Sequence, residues 1–382
     1  MAYETEDQET QYCFPDINSS CVKGERSSYE YYSMYVFFSL LSAWTVFLNL
    51  LVIISISHFK KLHTPTNMLI LSLAVNDLLV GLIVMPIEAI KLIGTCWYFG
   101  DTLCDLFLII MGLLLSTSLC NLVLIAVDRY VAVCHPLLYT QKITMTRTLF
   151  IVCICWVFTS SYNIAIVRST SHRTSGCYGE CNVKLSLEWR VTDLIFSFLL
   201  PCTVIITLHL RIFYAVHQQV KVINSQMKRA YNITIVKSTS QRKDGCYSEC
   251  NATLTYEWRA IDLIFSFLLP CTIIITLHLR IFYVVHQQVK VINSQMKRGK
   301  SVMESSVKRK SESKAALTLG IIVAIHLLCW IPYYILTLTD NIAIPPTVLY
   351  CLIWVLYINS CLNPILYAFF YPWFRKSFKH IL

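Results

Sequence analysis

Two acidic side chains inside apolar segments are the residues of this sequence best suited to chemistry. Asp77 and Asp193 each lie in a run of apolar residues long enough to cross a membrane. A carboxylate in hydrocarbon is costly unless a cation or hydrogen-bond donors face it, and a charge-assisted hydrogen bond from an ammonium group satisfies it well. These residues therefore indicate cation binding, and we assign no catalytic residue and no enzyme activity.

Eight apolar segments supply the helices that must position these acids. Of the 382 residues, 56% are apolar and only 14% are charged. A helix needs about twenty apolar residues to cross roughly 30 Å of hydrocarbon. We therefore predict an all-α, multi-pass membrane protein. The predicted spans are 33–57, 67–90, 104–128, 147–167, 190–214, 259–283, 315–338 and 347–370.

The distribution of basic residues predicts the orientation of the spans. If seven spans are counted, the basic clusters at 60–61, 142–147 and 375–379 fall on one side, which the positive-inside rule assigns to the cytosol. The tail of residues 1–32 is then outside, where Asn18 begins a glycosylation sequon. The net charge of +10 indicates a cytosolic surface that faces anionic lipid and an intracellular partner. Nucleic acid is excluded as a partner, because the basic residues lie between spans.

A tandem duplication makes the chain longer than seven spans require. Residues 162–229 and 231–298 differ at only 14 of 68 positions, and each copy holds a Cys-rich loop followed by an apolar span. Both copies require the loop outside and the basic end inside, yet no span between them returns the chain. Inserting both would invert everything after residue 297.

We therefore predict that only one of the two copies occupies the helical bundle. Removing one copy of 69 residues from 382 leaves 313 residues, which is a plausible length for seven spans. The first copy is favoured, because a cytosolic loop tolerates an insertion better than the lid of a pocket does. The choice between the copies stays open, as does an allelic, tandem-exon or gene-model origin of the extra copy.

Short motifs at matching depths resemble the rhodopsin-like family of G-protein-coupled receptors. Asp128-Arg129-Tyr130 ends the predicted third span. The other motifs are Asn49, Leu73-Ala74-Val75-Asn76-Asp77, Trp156, Cys329-Trp330-Ile331-Pro332 and Asn363-Pro364-Ile365-Leu366-Tyr367. The resemblance covers the whole chain except the extra copy and implies a seven-helix receptor domain over residues 33–382. It implies that coupling to a G protein involves Asp128, Arg129, Tyr130, Asn363, Pro364 and Tyr367.

The resemblance also implies a sodium ion as an allosteric ligand, with no other cofactor. Its predicted ligands are Asp77, Ser118, Asn359 and Asn363, with Asn49 as a further polar neighbour. Carboxylate, hydroxyl and amide oxygens are the hard ligands that such a cation prefers. The alternative is a hydrogen-bonded polar cluster without an ion.

Features of the outer loops and the tail narrow the resemblance to trace amine-associated receptors. The loop CYGEC, the N-terminal sequence NSSC and the C-terminal sequence AFFYPWFRK all resemble that family. The implied disulfides are Cys104–Cys181 and Cys21–Cys177, with Cys250 and Cys13 as alternative partners. Residues 371–382 are expected to form a short amphipathic helix on the membrane surface.

The expected amine pocket lacks one acid and gains another. Amine receptors carry an aspartate in span three, eighteen residues before the arginine of the Asp-Arg-Tyr motif, but Met111 occupies that position here. Asp193 lies eight residues before Pro201, or about 12 Å further out, and Met111 lies seven residues, or about 10 Å, below Cys104. The two positions are thus at comparable depth. Some trace amine receptors carry an acid where Asp193 lies, and Asp262 is its counterpart in the second copy.

Other roles for these residues stay open. Asp193 is alternatively a solvated rim residue or an ion-pair partner of Arg190. Glu88, which Lys91 can neutralise, ranks below Asp193 as an amine anchor. By resemblance, the aromatic residues of the pocket are Trp330, Tyr333, Tyr334, Trp354 and Tyr357. Their faces attract ammonium groups, although plain packing is the alternative.

We expect a plasma-membrane receptor for a small amine that signals through a heterotrimeric G protein. The resemblance implies a stimulatory G protein and an olfactory role. Two alternatives remain. The repeat and the eight segments would suit a transporter, and the duplication could make the chain a non-functional product of a receptor gene.

Overall fold

Helices form most of the described chain. The structure is a computed structural model that describes residues 11–24, 27–169, 177–181, 186–231, 325, 328–330, 346–370, 374–375 and 377. It divides into two compact units, one of Met1–Asp128, Thr140–Ile205 and Ile325–Leu382, the other of Arg129–Tyr139 and Ile206–Ala324. Within the described residues, β-pairing is limited to two isolated bridges, Tyr12–Val22 and Ser20–Tyr178.

Five described helices are long and apolar enough to cross a membrane. They are the first span Ser28–His58, the second span Pro65–Gly94, the third span Gly100–Cys134, the fourth span Met145–Ser169 and the fifth span Glu188–Ile212. The fifth span belongs to a helical run that continues to Tyr231. The helix Pro346–Phe370, named here the seventh span, contains a shorter apolar stretch. These six helices match six predicted spans, while 259–283 and most of 315–338 lie outside the described residues, so the count of eight stays a prediction.

Local sequence signals explain where the helices begin. The first span has a capping box, in which the Ser27 hydroxyl accepts from the Glu30 amide and the Glu30 carboxylate accepts from the Ser27 amide. The second span begins with Thr64 as N-cap and Pro65 in the first turn, where the missing amide hydrogen costs nothing. The Ser186 hydroxyl caps the helix that leads into the fifth span.

Two π-helical turns widen the second and fifth spans just before a proline. The turns are Val80–Val84 and Leu194–Leu199, and Pro86 and Pro201 each follow two residues later. A proline inside a helix lacks an amide hydrogen and crowds the carbonyl four residues earlier, so the preceding turn widens. Residues on the outer side of each turn are consequently rotated relative to the inner part of the span.

The first unit is packed as a membrane protein, with polar groups inside and apolar groups outside. Leu40, Val157 and Phe158 are each about two thirds exposed, whereas Asn49 and Asp77 are completely buried. The first span packs against the second and seventh spans, and the second packs against the fourth. Since lipid is as apolar as leucine, helices in a membrane associate through close packing and interhelical hydrogen bonds.

Close approach of the third and fourth spans depends on Gly112. A Cβ atom at this position would collide with the side-chain amide of Asn163. The Asn163 amide donates to Ser116 Oγ at 3.2 Å, and the hydroxyls of Thr117 and Thr159 lie 2.8 Å apart. This contact fixes the fourth span beside the part of the third span that carries Met111.

Candidate functional site

Asp193 lies immediately before the wide turn of the fifth span, where two hydroxyl groups bind its carboxylate. Ser197 Oγ donates to Asp193 Oδ1 at 2.6 Å, and Tyr162 Oη of the fourth span donates to the same oxygen at 3.2 Å. Neither hydroxyl binds Oδ2, and the side chain is only partly buried. One carboxylate oxygen is therefore held in place by described residues, and these two hydroxyls leave the other oxygen for a further donor.

The third-span position that carries an acid in amine receptors is apolar in this chain. The Tyr357 hydroxyl donates to Met111 Sδ at 3.4 Å, which joins the third and seventh spans. A thioether is a weak acceptor and cannot pair with a cation. Among the predicted anchors in the part of the chain that the structure describes, Asp193 is the acid whose two hydroxyl donors both bind one oxygen, Oδ1.

The predicted aromatic pocket residues fall into three groups. Trp354 stacks on Phe38 of the first span with ring centroids 3.9 Å apart, and it meets Tyr357 edge to face with ring centroids 5.5 Å apart. The described contacts of Trp354 are therefore packing contacts. Trp330 is buried. Tyr333, Tyr334 and the second-copy acid Asp262 lie outside the described residues, and their roles stay predictions.

Glu88 is a buried acid in the C-terminal half of the second span. Lys91 Nζ lies 3.4 Å from its Oε1, as the spacing of three residues predicts. The carboxylate is thereby partly neutralised by its own helix. This supports its lower rank as an ammonium anchor.

Asp77 lies in a buried polar cluster that joins the first, second and seventh spans. Asn363 Nδ2 donates to Asp77 Oδ2 at 2.8 Å. Asn49 Nδ2 donates to the carbonyls of Thr45 and Ser360, at 2.9 and 3.0 Å. Within the described residues, Oδ1 of Asp77 and Oδ1 of Asn49 are buried without a hydrogen-bond partner.

These two oxygens are what a small hard cation would need. Ser118 and Asn359, the other residues predicted for the sodium site, are also buried. A buried carboxylate oxygen without a donor is destabilising unless water or a cation fills the space beside it. The residues present therefore fit a sodium ion.

The predicted signalling residues Asp128, Arg129 and Tyr130 lie near the C-terminal end of the third span. In the first unit, the Thr66 hydroxyl donates to Asp128 Oδ2 at 2.9 Å. In the second unit, Arg129 Nη2 lies 3.5 Å from the Tyr139 hydroxyl, and Ile212 packs against Tyr130. Pro364 lies inside the seventh span, and Tyr367 in the last turns of this helix is almost fully buried.

Three disulfides hold together the N-terminal tail, two loops and the start of the third span. The tail and loops, residues 11–24, 95–99 and 177–181, are named here the outer cap after their predicted orientation. The bonds are Cys13–Cys96, Cys21–Cys177 and Cys104–Cys181. The last two are the pairs that the resemblance implied. The first bond joins Cys13 to Cys96, which lies in the loop after the second span. Cys13 was predicted only as an alternative partner of Cys177.

Backbone hydrogen bonds complete the outer cap. The Tyr178 amide donates to the Ser19 carbonyl at 2.7 Å, and the Cys21 amide donates to the Tyr178 carbonyl at 2.9 Å. The Trp97 amide donates to the Gly179 carbonyl at 2.8 Å. Asn18, the predicted glycosylation site, is exposed. The tail is therefore held in place against the loops 95–99 and 177–181.

Sequence reasoning missed several residues of these sites. Ser197 lies four residues after Asp193, a spacing that places both side chains on one face of a helix, so its contact could have been anticipated. Tyr162 lies on another span and its direction depends on helix rotation, which no local pattern gives. The Cys13–Cys96 bond had no signal beyond the outer location of both residues.

The fold and these sites define a helical, multi-pass membrane receptor. The profile described as 7 transmembrane receptor (rhodopsin family) matches residues 48–240 and 232–367, and the second range begins one residue into the second copy. The chain is 33% identical to trace amine-associated receptor 13c of Danio rerio, over 98% of this chain and 92% of that protein.

Two further relatives agree with this match. Trace amine-associated receptor 9 of Rattus norvegicus is 33% identical over 97% of this chain and 93% of its own length. Trace amine-associated receptor 1 of Macaca mulatta is 32% identical over 97% of this chain and 94% of its own length. The chain therefore belongs to the rhodopsin family of seven-transmembrane receptors, among the trace amine-associated receptors, and the match gives no support to the transporter alternative.

Proposed function

We propose that this chain is a plasma-membrane receptor for a small protonated amine and that Asp193 binds the ammonium group. The observation that carries this proposal is the half-satisfied carboxylate. Among the described residues, Ser197 and Tyr162 both bind Oδ1, and we assign Oδ2 to the ligand. An ammonium group supplies the donor and the charge that a partly buried carboxylate requires.

The proposed ligand lies with its charged end towards the fifth span. Met111 offers only a thioether, which the Tyr357 hydroxyl already contacts. The third span therefore faces an apolar part of the ligand. This arrangement favours amines with one charged nitrogen and an apolar body.

A sodium ion at Asp77 is proposed as the allosteric ligand. Asp77 Oδ1 and Asn49 Oδ1 are the buried oxygens available to it, with Ser118, Asn359 and Asn363 as further ligands. The ion would supply positive charge to a buried carboxylate. A ligand changes signalling only by its different affinity for the resting and active states, so sodium and amine need not favour the same state.

Signalling is proposed to pass to a heterotrimeric G protein of the stimulatory type at the cytosolic ends of the spans. Arg129 is the proposed contact, and Pro364 lets the seventh span bend. The N-terminal tail is proposed to be outside, which agrees with its two disulfides, Cys13–Cys96 and Cys21–Cys177, because such bonds persist in oxidising compartments. The olfactory role rests on the family and is tested by locating the transcript in sensory neurons.

The experiment is a cyclic-AMP screen of amines in cells that express the full chain. Asp193→Ala should remove the response to every active amine, and Asp262→Ala, the matched change in the second copy, should leave it intact. Surface staining of each variant controls for expression. A response that survives Asp193→Ala at normal surface levels would refute the proposed anchor.

The non-functional alternative is tested by the same staining. The duplication is the observation that favours it, because a chain with both copies inserted would have an inverted C-terminal part. A chain retained in the endoplasmic reticulum in every variant would support that alternative and contradict the proposed function.

A further inference from the structure

Gly179 is the one residue of the outer cap loop 177–181 whose backbone conformation requires glycine. Its φ angle is +100°, a region that residues with a Cβ atom rarely adopt. A Cβ atom at this position would also lie 3.1 Å from Cys13 Cβ and 3.1 Å from the Phe14 ring. Both the backbone angle and the available space therefore oppose any larger residue here.

The two neighbours of Gly179 cannot easily move away. Cys13 is bonded to Cys96, so its Cβ position is fixed by the disulfide. The Phe14 ring packs against Tyr178 at 4.8 Å and against Tyr98 at 5.6 Å. The N-terminal tail thus leaves room for the loop 177–181 only if position 179 is glycine.

The second copy of the duplicated segment does not carry this glycine. Its loop reads CYSEC, so Ser248 stands where the first copy has Gly179. The second-copy cysteines Cys246 and Cys250 would need the same two partners, but Cys21 and Cys104 are each bonded to a cysteine of the first copy. The two loops therefore compete for one surface and one set of thiols.

We propose that the N-terminal tail selects the first copy as the loop that closes the outer end of the receptor, with Gly179 as the determinant, and that the second copy is excluded. The fifth span of the working receptor is then the one that follows this loop, so Asp193 and not Asp262 lies in the pocket. This inference rests on the proposed outward orientation of the tail.

Paired cysteine changes in the full-length chain test the selection. The double variant Cys177→Ser, Cys181→Ser should lose several-fold in surface level, because the outer cap comes apart. The matched variant Cys246→Ser, Cys250→Ser should keep the surface level of the parent chain. The opposite pattern would overturn the proposal.

A second pair of variants tests the role of Gly179 without touching any disulfide. Gly179→Ser should lower the surface level, whereas Ser248→Gly should not change it. Gly94→Ser is a matched control, since a Cβ atom at Gly94 meets nothing within 4 Å. Equal surface levels for Gly179→Ser and the parent would overturn the assigned determinant.

Glycosylation gives an independent readout of the same selection. The second copy contains two sequons, Asn232-Ile233-Thr234 and Asn251-Ala252-Thr253, and the second of them lies directly after its Cys-rich loop. The first copy has Asn163-Ile164-Ala165 and Asn182-Val183-Lys184 at these places and contains no sequon. Endoglycosidase should therefore remove a glycan from Asn18 and none from Asn251, so Asn251→Gln should migrate like the parent. A glycan on Asn251 would show that the second loop reaches the lumen and would overturn the proposal.

These readouts separate the selection of the copy from the proposed function. A receptor that requires Cys177, Cys181 and Gly179 at the surface but ignores every amine supports the selection and contradicts the amine ligand. A tail that carries no glycan at Asn18, in a chain that reaches the surface, would contradict the outward orientation on which both depend.

Discussion

Asp77 and Asp193 are both carboxylates inside membrane spans, but the groups around them differ. At Asp77 an amide from the seventh span holds Oδ2, and Oδ1 is buried without a partner in the described residues. At Asp193 two hydroxyls hold Oδ1, and the residue is only partly buried. An amide fixes its donor, whereas a hydroxyl rotates and can donate or accept.

These different surroundings suit the two acids to different cations. The Asp77 cluster is closed and lined by oxygens, which favours a small ion that remains in place. The surroundings of Asp193 can rearrange when a larger, hydrogen-bonding cation arrives. The same residue type thus serves two roles, because the neighbouring donors differ in rigidity and in access.

The sharpest test of this comparison neutralises each acid in turn. Asp193→Asn should lower the amine potency by about 100-fold, or about 2.7 kcal/mol, since an uncharged amide cannot form an ion pair with ammonium. Asp77→Asn should change the amine potency by less than about tenfold, because it lies in the other cluster. Dose–response curves for cyclic AMP at matched surface levels measure both, and equal losses would contradict the division of roles.

The effect of sodium on amine potency should depend on Asp77, in contrast to amine binding itself, which should depend on Asp193. Replacing sodium with potassium should shift the amine dose–response of the parent by about five- to tenfold, the usual range of allosteric coupling. Asp77→Asn should abolish this shift, because the carboxylate oxygen that would hold the ion is gone. Agonist binding to membranes in the two salts is the measurement, and a shift that persists in the variant would exclude the sodium site.

Adding an acid to the third span tests the proposed orientation of the ligand. Met111→Asp places a second carboxylate at the depth predicted for Asp193, so ligands with two ammonium groups should gain about tenfold in potency. Ligands with one charge should gain little. Comparing a diamine with a monoamine of the same length checks this, and Met111→Leu is the control for lost packing.

The smallest effect is expected from the hydroxyl that aligns the anchor. Tyr162→Phe removes one hydrogen bond to Asp193 and should raise the half-maximal amine concentration by about fivefold, or about 1 kcal/mol. The maximal response should be unchanged, since the residue positions the acid without touching the G protein. Tyr214→Phe, which removes an exposed hydroxyl from the helical run that follows Asp193, is the control.

Much of this architecture could be predicted from residue patterns. Apolar runs located the spans, and the motif resemblance brought Asp77 and Asn363 together although 286 positions separate them. The pairing of Cys21 with Cys177 also followed from the resemblance. These features are set by composition, or by motifs that occur together in a known order.

Other features depend on rotation and close packing, which sequence patterns do not encode. The wide turn Leu194–Leu199 changes the direction in which Asp193 points, and its effect is visible only in three dimensions. Trp354 was expected in the pocket, but its described contacts include a stack on Phe38. The choice of Tyr162 as a partner of Asp193 depends on how the fourth and fifth spans are rotated towards each other.

The bond from Cys21 to Cys177 gives the order of synthesis a meaning. The ribosome delivers the first CYGEC loop 69 residues before the second loop. At 5–20 residues per second this is a lead of roughly 3 to 14 s. A thiol that has been oxidised in that interval is no longer available to a later arrival. The order of synthesis and the shape of the N-terminal tail therefore both favour the first copy.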